Sequence, residues 1–410
     1  MGKMGLPLAC VFADADFDVI GIDVDEKRVA AINAGENPIP EETGLDLLLQ
    51  SAIKKGFSTT TQKVEADIHI ILIPILLVNG RPDFSILTDV CKKIASVLKK
   101  DNIVVLESTA PPGTCETVLI PLLEEQGFES GKDFGVAHCP ERTMTGTALE
   151  DITKKYPKIV GASDCETGKI LRDVYSRINE KGVILLKDIK TAEAVKVFEG
   201  IYRDVNIALV NELALYCEEH SLDITEVIKA ANTQPYCHLH EPGAGVGGHC
   251  IPVYPYFVMS EKTDLIRTAR KINESMPYHV VDLTEELLRK SGLSLRGARI
   301  LLLGITFRRG VKEERFSPFF PVRDELHKRG AFVYGRDPLY TKEETERYVT
   351  YCADFNNIDC IVILTDHTEF VSMDWKYIRQ AGVRAVIDGR NILNREKMES
   401  LDFIYTGIGR

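Results

Sequence analysis

The chain contains no C-x-x-C pair, although it holds ten cysteines. Zinc-ribbon and dithiol-redox readings therefore lack their ligand spacing. It has no apolar run near the roughly 20 residues that cross a bilayer, and no signal-peptide pattern opens it. It also lacks basic excess: the formal net charge is -11, where a general nucleic-acid binder leaves a basic footprint. No repeat or low-complexity segment interrupts it. What is present is a 410-residue chain, 44% hydrophobic and 27% charged, with length for two or three domains and a sizeable core. A cytoplasmic protein with reduced thiols is expected, with no nucleic-acid or membrane partner.

The first half alternates β-branched runs with amphipathic helical patterns. DVIGIDVD (18–25), ADIHIILIP (66–74) and NIVVLEST (102–109) read as strands, and the segments after them read as helices. This order predicts a parallel, doubly wound sheet with binding loops at the strand carboxyl ends. From about 189 to 220 the pattern becomes one long helix. At about 100° per residue, Lys196, Glu199 and Arg203 share a narrow arc flanked by Glu193 and Asn206, and most other positions are apolar. Such a stripe suits a functional face, or a salt-bridged seam between domains or subunits. A second α/β set begins near 296 with ARILLLGITF. The expected fold is therefore α/β, with two Rossmann-like doubly wound domains joined by a long central helix in a helical middle domain. The boundaries are set at 1–188, 189–294 and 295–410.

A dinucleotide-binding fingerprint needs a strand, G-x-G-x-x-G and a helix. Here Gly2, Lys3, Met4 and Gly5 supply its second and third glycines, while the first strand and first glycine are missing. The chain is expected to begin one strand late, as a misplaced start codon would produce. Asp23 ends the next strand, where a carboxylate would take ribose hydroxyls. A second cluster, Gly243-Ala244-Gly245-Val246-Gly247-Gly248, follows no strand and runs into His249 and Cys250. That context rejects a Rossmann loop and points to backbone lying close to a ligand beside a lone thiol. His238 and His240 form an H-x-H, but no further ligand spacing makes a metal site, so none is expected.

PGAGVGGHCIP, TAEAVKVFE, CPER and ESTAPPGT occur in an order that resembles the UDP-sugar 6-dehydrogenases, across essentially the whole chain. GGHC and YRDVNIALVNELA are more similar to the branch acting on UDP-N-acetylhexosamines. The resemblance implies a four-electron oxidation of a C6 alcohol by two NAD, without metal. In that scheme Cys250 holds the aldehyde as a thiohemiacetal and then as a thioester, chemistry suited to a thiolate. Lys196 matches the lysine that stabilises negative charge on the C6 oxygen. Glu141 matches the acid–base carboxylate of hydrolysis, and Thr109 a threonine that holds water and borders the nicotinamide. By the same resemblance Gly2, Lys3, Met4, Gly5, Asp23, Arg28, Thr109 and Arg315 bind the cofactor. The sugar nucleotide falls to Glu141, Arg142, Thr143, Lys196, Arg203, His238, His240, Gly247, Phe307, Arg308 and Arg390, with arginine forks suiting phosphate. A homodimer or higher homo-oligomer is implied through the central helix. Three positions depart from the family: Gly200 for asparagine, Tyr254 for aspartate and Ile75 for threonine.

Overall fold

The computed structural model describes all 410 residues, which divide into two compact units. The first is Met1–Glu199 with Tyr256–Val258, and the second is Gly200–Pro255 with Met259–Arg410.

In the first unit the strands are β1 (Ile20–Ile22), β2 (Ser58–Thr60), β3 (Ile68–Ile71), β4 (Leu76–Val78), β5 (Arg81–Asp83), β6 (Ile103–Leu106), β7 (Gly135–His138), β8 (Lys158–Ala162) and β9 (Val183–Leu186). Five of them form a sheet in the order β3-β6-β7-β8-β9, while β1-β2 and β4-β5 are separate pairs. All four residues of β6 and of β7 are buried, as expected of central strands covered on both faces. The first helix, Gly5–Asp14, has no strand before it. It buries Leu8, Val11 and Phe12 against the sheet, and Leu6, Cys10 and Ala13 against Ile32, Leu45 and Leu49 of the next helices. Two strands of this sheet depart from the all-parallel expectation: β8 pairs antiparallel to β7, with Ala137 opposite Ala162, and β9 follows β8 in parallel. The segment between β7 and β8 holds only short helical turns at Ala148–Glu150 and Asp151–Lys155, not the crossover helix that a parallel neighbour requires.

The second unit contains β10 (Arg299–Leu303), β11 (Phe332–Arg336), β12 (Thr350–Tyr351), β13 (Cys360–Ile363), β14 (Ala385–Asp388) and β15 (Ile404–Gly407). They form one parallel sheet in the order β12-β11-β10-β13-β14-β15. One face packs on Val210 and Ala214 of the central helix and on Met276, Val280 and Leu288 of the helix Asp264–Lys290. The other face packs on Trp375, Ile378 and Phe403. Each such side chain taken from water is worth about 1.5–3 kcal/mol before entropy. The strand order reverses between β10 and β13, and in open α/β sheets ligands bind at the carboxyl ends beside such a point. The doubly wound α/β architecture expected from the sequence is the one the chain adopts, and the central helix runs over Ile189–Glu219.

Candidate active site

Gly2 and Gly5 open onto clear space, since a Cβ on either would meet nothing within 4 Å. Met4 caps the first helix without a side-chain acceptor, the Leu6 amide donates to Gly2 O at 3.1 Å and Pro7 has no amide proton, so of the first turn the Gly5 amide faces the opening. Asp23, just beyond β1, accepts the Asp25 amide at 3.0 Å and Arg28 Nη1 at 3.3 Å, and is ion-paired with the Met1 amine. Burial opposes the Asp23 charge, but these donors outweigh it and hold the carboxyl below its usual range. Lys3 reaches Glu41 at 3.2 Å. Clear space at Gly2 and Gly5, a helix N-terminus and a half-buried carboxylate at Asp23 suit the pyrophosphate and ribose of a dinucleotide.

The same unit brings the CPER segment to this loop. Thr143 Oγ1 donates to Met4 Sδ at 2.6 Å, and the Thr143 amide donates to Glu141 Oε1 at 2.7 Å. The Glu141 amide bonds the Glu107 carbonyl at 3.1 Å, which fixes the residue at the end of β7 beside β6. Thr109 is half-buried next to Ser108, whose Oγ accepts the Ile73 amide at 2.7 Å. Nothing in the sequence singled out Lys158, at the start of β8. Its Nζ lies 2.9 Å from Glu107 Oε2 and 3.8 Å from Glu141 Oε2, and 5.0 Å from the centre of the Tyr175 ring. Burial alone would push the Lys158 ammonium down, but Glu107 and Glu141 outweigh it and keep it charged.

Lys196 is half-buried on the second turn of the central helix. Glu199 pairs with Arg142 at 3.0 Å, so that arginine is committed to the helix and also stacks 4.6 Å over Tyr156. Glu193 is fully buried and accepts the Cys115 amide at 2.7 Å and the Gly113 amide, capping the Pro-Pro-Gly turn. The ligand atoms of Cys115, His138 and Glu193 lie within 4.8 Å of one another. Both Glu193 oxygens are engaged by backbone, and the Lys158 charge bears on His138, so the group forms a cap, unsuited to a cation. His138 is fully buried with both ring nitrogens unpartnered, and burial, then Lys158, pushes it down to about 3.

In the second unit the glycine cluster runs to Cys250 through contacts that admit no side chain. A Cβ on Gly247 would lie 2.4 Å from Phe307 Cβ, one on Gly248 (φ +93) 3.0 Å from the same ring, and one on Gly243 2.6 Å from Arg390 Nη1. Asn211 Oδ1 accepts the Gly243 amide at 3.0 Å, Gly389 O accepts that of Ala244 at 3.1 Å and Arg315 O that of Gly248 at 2.8 Å. Phe307, Arg308 and Arg315 follow β10, and Arg390 follows β14. Cys250 is exposed, as is Cys165, whereas seven of the ten thiols are buried, and burial pushes Cys10 and Cys91 up to about 12. His249 pairs with Glu313. His240 packs edge-on at 6.3 Å from Tyr202, and burial, then Arg203, lowers its pKa; His238 is exposed. The departures at Gly200 and Tyr254 meet: a Cβ on Gly200 would lie 2.3 Å from Tyr254 Cδ2, and that ring is buried. Ile75 is likewise buried.

A glycine-opened helix N-terminus with Asp23 in one unit and an exposed thiol beside a parallel α/β sheet in the other suit an NAD-linked dehydrogenase, the class to which the family matches assign the chain. The chain matches the NAD binding domain of the UDP-glucose/GDP-mannose dehydrogenase family over residues 1–179, the central domain over 190–275 and the UDP binding domain over 301–395. It is 36% identical to the UDP-N-acetyl-D-mannosamine dehydrogenase of Pyrococcus horikoshii, over 100% of this chain and 98% of that protein. The solved structure of UDP-D-ManNAc dehydrogenase from that organism superposes with a TM-score of 0.91 at 34% identity, over 100% of this chain and 97% of the other. The NDP-N-acetyl-D-galactosaminuronic acid dehydrogenase structure from Methanosarcina mazei Go1 gives 0.85 at 30% identity, over 100% and 94%. The chain belongs to the UDP-glucose/GDP-mannose dehydrogenase family, and it is an oxidoreductase whose cofactor is NAD. No helix is long and apolar enough to cross a membrane.

Proposed function

We propose that the chain oxidises the C6 alcohol of UDP-N-acetyl-D-mannosamine to the carboxylate in two steps on Cys250. The observation that carries this reading is the exposed thiol at the end of a glycine run laid on Phe307 and Arg390, at the carboxyl ends of β10 and β14. Likeness over the whole chain to dehydrogenases of N-acetylated nucleotide sugars supports the substrate class. When bound, NAD accepts two electrons and a proton equivalent from carbon at each oxidation. Gly2, Lys3, Met4, Gly5, Asp23, Arg28 and Arg315 hold it. Arg308 and Arg390 bind the diphosphate, and Arg142, Thr143, Arg203, His238, His240, Gly247 and Phe307 line the sugar side.

In this reading Lys196 stabilises the negative charge on the C6 oxygen as its hydroxyl proton passes to solvent water. The Cys250 thiolate adds to the aldehyde, which cannot then escape before the second oxidation to thioester. Glu141 and Thr109 orient the water that cleaves the thioester, and Glu141 takes its proton. Release of two NADH per UDP-N-acetylmannosamine supports the proposal; no NADH from the full chain leaves it a silent nucleotide-binding protein. A panel with UDP-N-acetylglucosamine and UDP-glucose decides the sugar, since turnover of either in preference rejects the mannosamine assignment. Phe198, Tyr202, Leu209 and Tyr216 are exposed on one face of the central helix, which supports a homodimer, and a monomer at micromolar concentration on size exclusion rejects it. A cytoplasmic location is tested by cell fractionation, where recovery with membranes would overturn it.

A further inference from the structure

Glu141 is held on one side and left open on the other. Its backbone is tied to Glu107, its Oε1 takes the Thr143 amide at 2.7 Å, and its Oε2 faces only the Lys158 ammonium at 3.8 Å. That separation exceeds a hydrogen bond, so the carboxylate feels the charge while Oε2 keeps its lone pairs for a water. Lys158 stays at this distance because Glu107 takes it at 2.9 Å, and Glu107 is itself fully buried and bonded by the Tyr175 hydroxyl. The antiparallel turn of β8 against β7 delivers the lysine here.

We propose that Lys158, anchored by Glu107 and Tyr175, is a positioning residue for Glu141: it supplies the fixed charge against which Glu141 takes and returns the proton of thioester hydrolysis. The inference rests on the assignment of Glu141 as the proton carrier. Electrostatic reach alone does not single out Lys158, so the other groups around the cluster matter. They are His138 and Cys139 at the end of β7, Tyr175 from the helix Cys165–Ser176, and Tyr156 and Arg142 from the connecting segment. Burial keeps His138 and both tyrosines neutral and Cys139 a thiol, and Arg142 is spent on Glu199. The Glu107 carboxyl also faces Glu141 and opposes its charge, so the one cation set against Glu141 Oε2 is Lys158, shared with Glu107.

The test uses full-length Lys158→Met, Lys158→Arg, Glu107→Gln and Glu141→Gln with NAD and UDP-N-acetylmannosamine, read by kcat–pH profiles and by intact mass for the acyl adduct on Cys250. An opposite charge within 4–6 Å lowers a carboxyl pKa by about 1–3 units. Lys158→Met should slow turnover roughly 30- to 100-fold, accumulate the adduct and move the acid limb of kcat up. Lys158→Arg should restore the limb. If Lys158→Met does not fold, Glu107→Gln serves: Lys158 is then released toward Glu141, and the limb moves down. An unshifted limb in whichever of these variants folds overturns the role of Lys158. Wild-type turnover by Glu141→Gln overturns instead the assignment of Glu141, so the two failures are distinguishable.

Discussion

Acid should destabilise the first unit through His138, and the size of the effect can be worked out. The ring is fully buried with no partner on either nitrogen, and its pKa falls from 6.5 to about 3 because burial, then the Lys158 charge, disfavours the imidazolium. The unfolded chain binds this proton near pH 6.5 and the folded chain does not. Stability from the neutral ring is thus complete above pH 6.5 and drains away as pH falls toward 3. At pH 5 the gap is about 1.5 pK units, which at 1.36 kcal/mol per unit is about 2 kcal/mol. For a unit of this size that lowers the melting temperature by roughly 4–8 °C relative to pH 8. The comparison is with His138→Leu, which fills similar volume and cannot protonate. Thermal melts of both proteins at pH 5 and pH 8 give the difference of differences. The variant should lose less on acidification by the amount above. Parallel pH slopes in the two proteins would refute the reasoning.

Cys250→Ser should leave the first oxidation measurable and abolish uronic acid formation, since a serine alkoxide is far less available than a thiolate at neutral pH; carboxylate product detected by mass from this variant would sink the covalent scheme. Gly200→Ala should destabilise by about 1–3 kcal/mol because the new methyl meets a buried ring at 2.3 Å, more than offsetting the roughly 1 kcal/mol that alanine gains in a helix. In a Tyr254→Ala background, itself destabilised by the lost ring, the same change should cost nothing in chemical denaturation, and an additive double mutant would deny the contact.

Much of the architecture was legible because apolar runs such as Ile103–Leu106 and Ile300–Leu303 are central strands buried on both faces. The two- to four-residue strands β2, β4, β5, β12 and β15 carry too few residues to show a period, and β8 was hidden because antiparallel pairing depends on a turn-rich connection. Cys250 could be singled out as the candidate among ten thiols because glycine packing against Phe307 and Arg390 leaves a trace in composition. Lys158 could not: a lysine ahead of an apolar strand looks like a solvated edge, and only the sheet brings it to Glu107 and Glu141. Likewise Gly200 and Tyr254 stood out separately in the sequence, while their contact is a tertiary fact that couples them.

The β1-β2 ribbon stands apart from the five-stranded sheet, and a lone pair of strands is marginal in water. Asp23, assigned to the ribose, hangs from the end of that ribbon. Fraying of the ribbon and emptying of the adenosine pocket then become one linked equilibrium, so cofactor acts as a local clasp. Hydrogen exchange makes this visible. Saturating NAD should slow the amides of residues 20–22 and 58–60 far more than those of 103–106, and equal protection with and without NAD would unlink clasp from ribbon. Warming should accordingly weaken cofactor affinity before it unfolds the sheet.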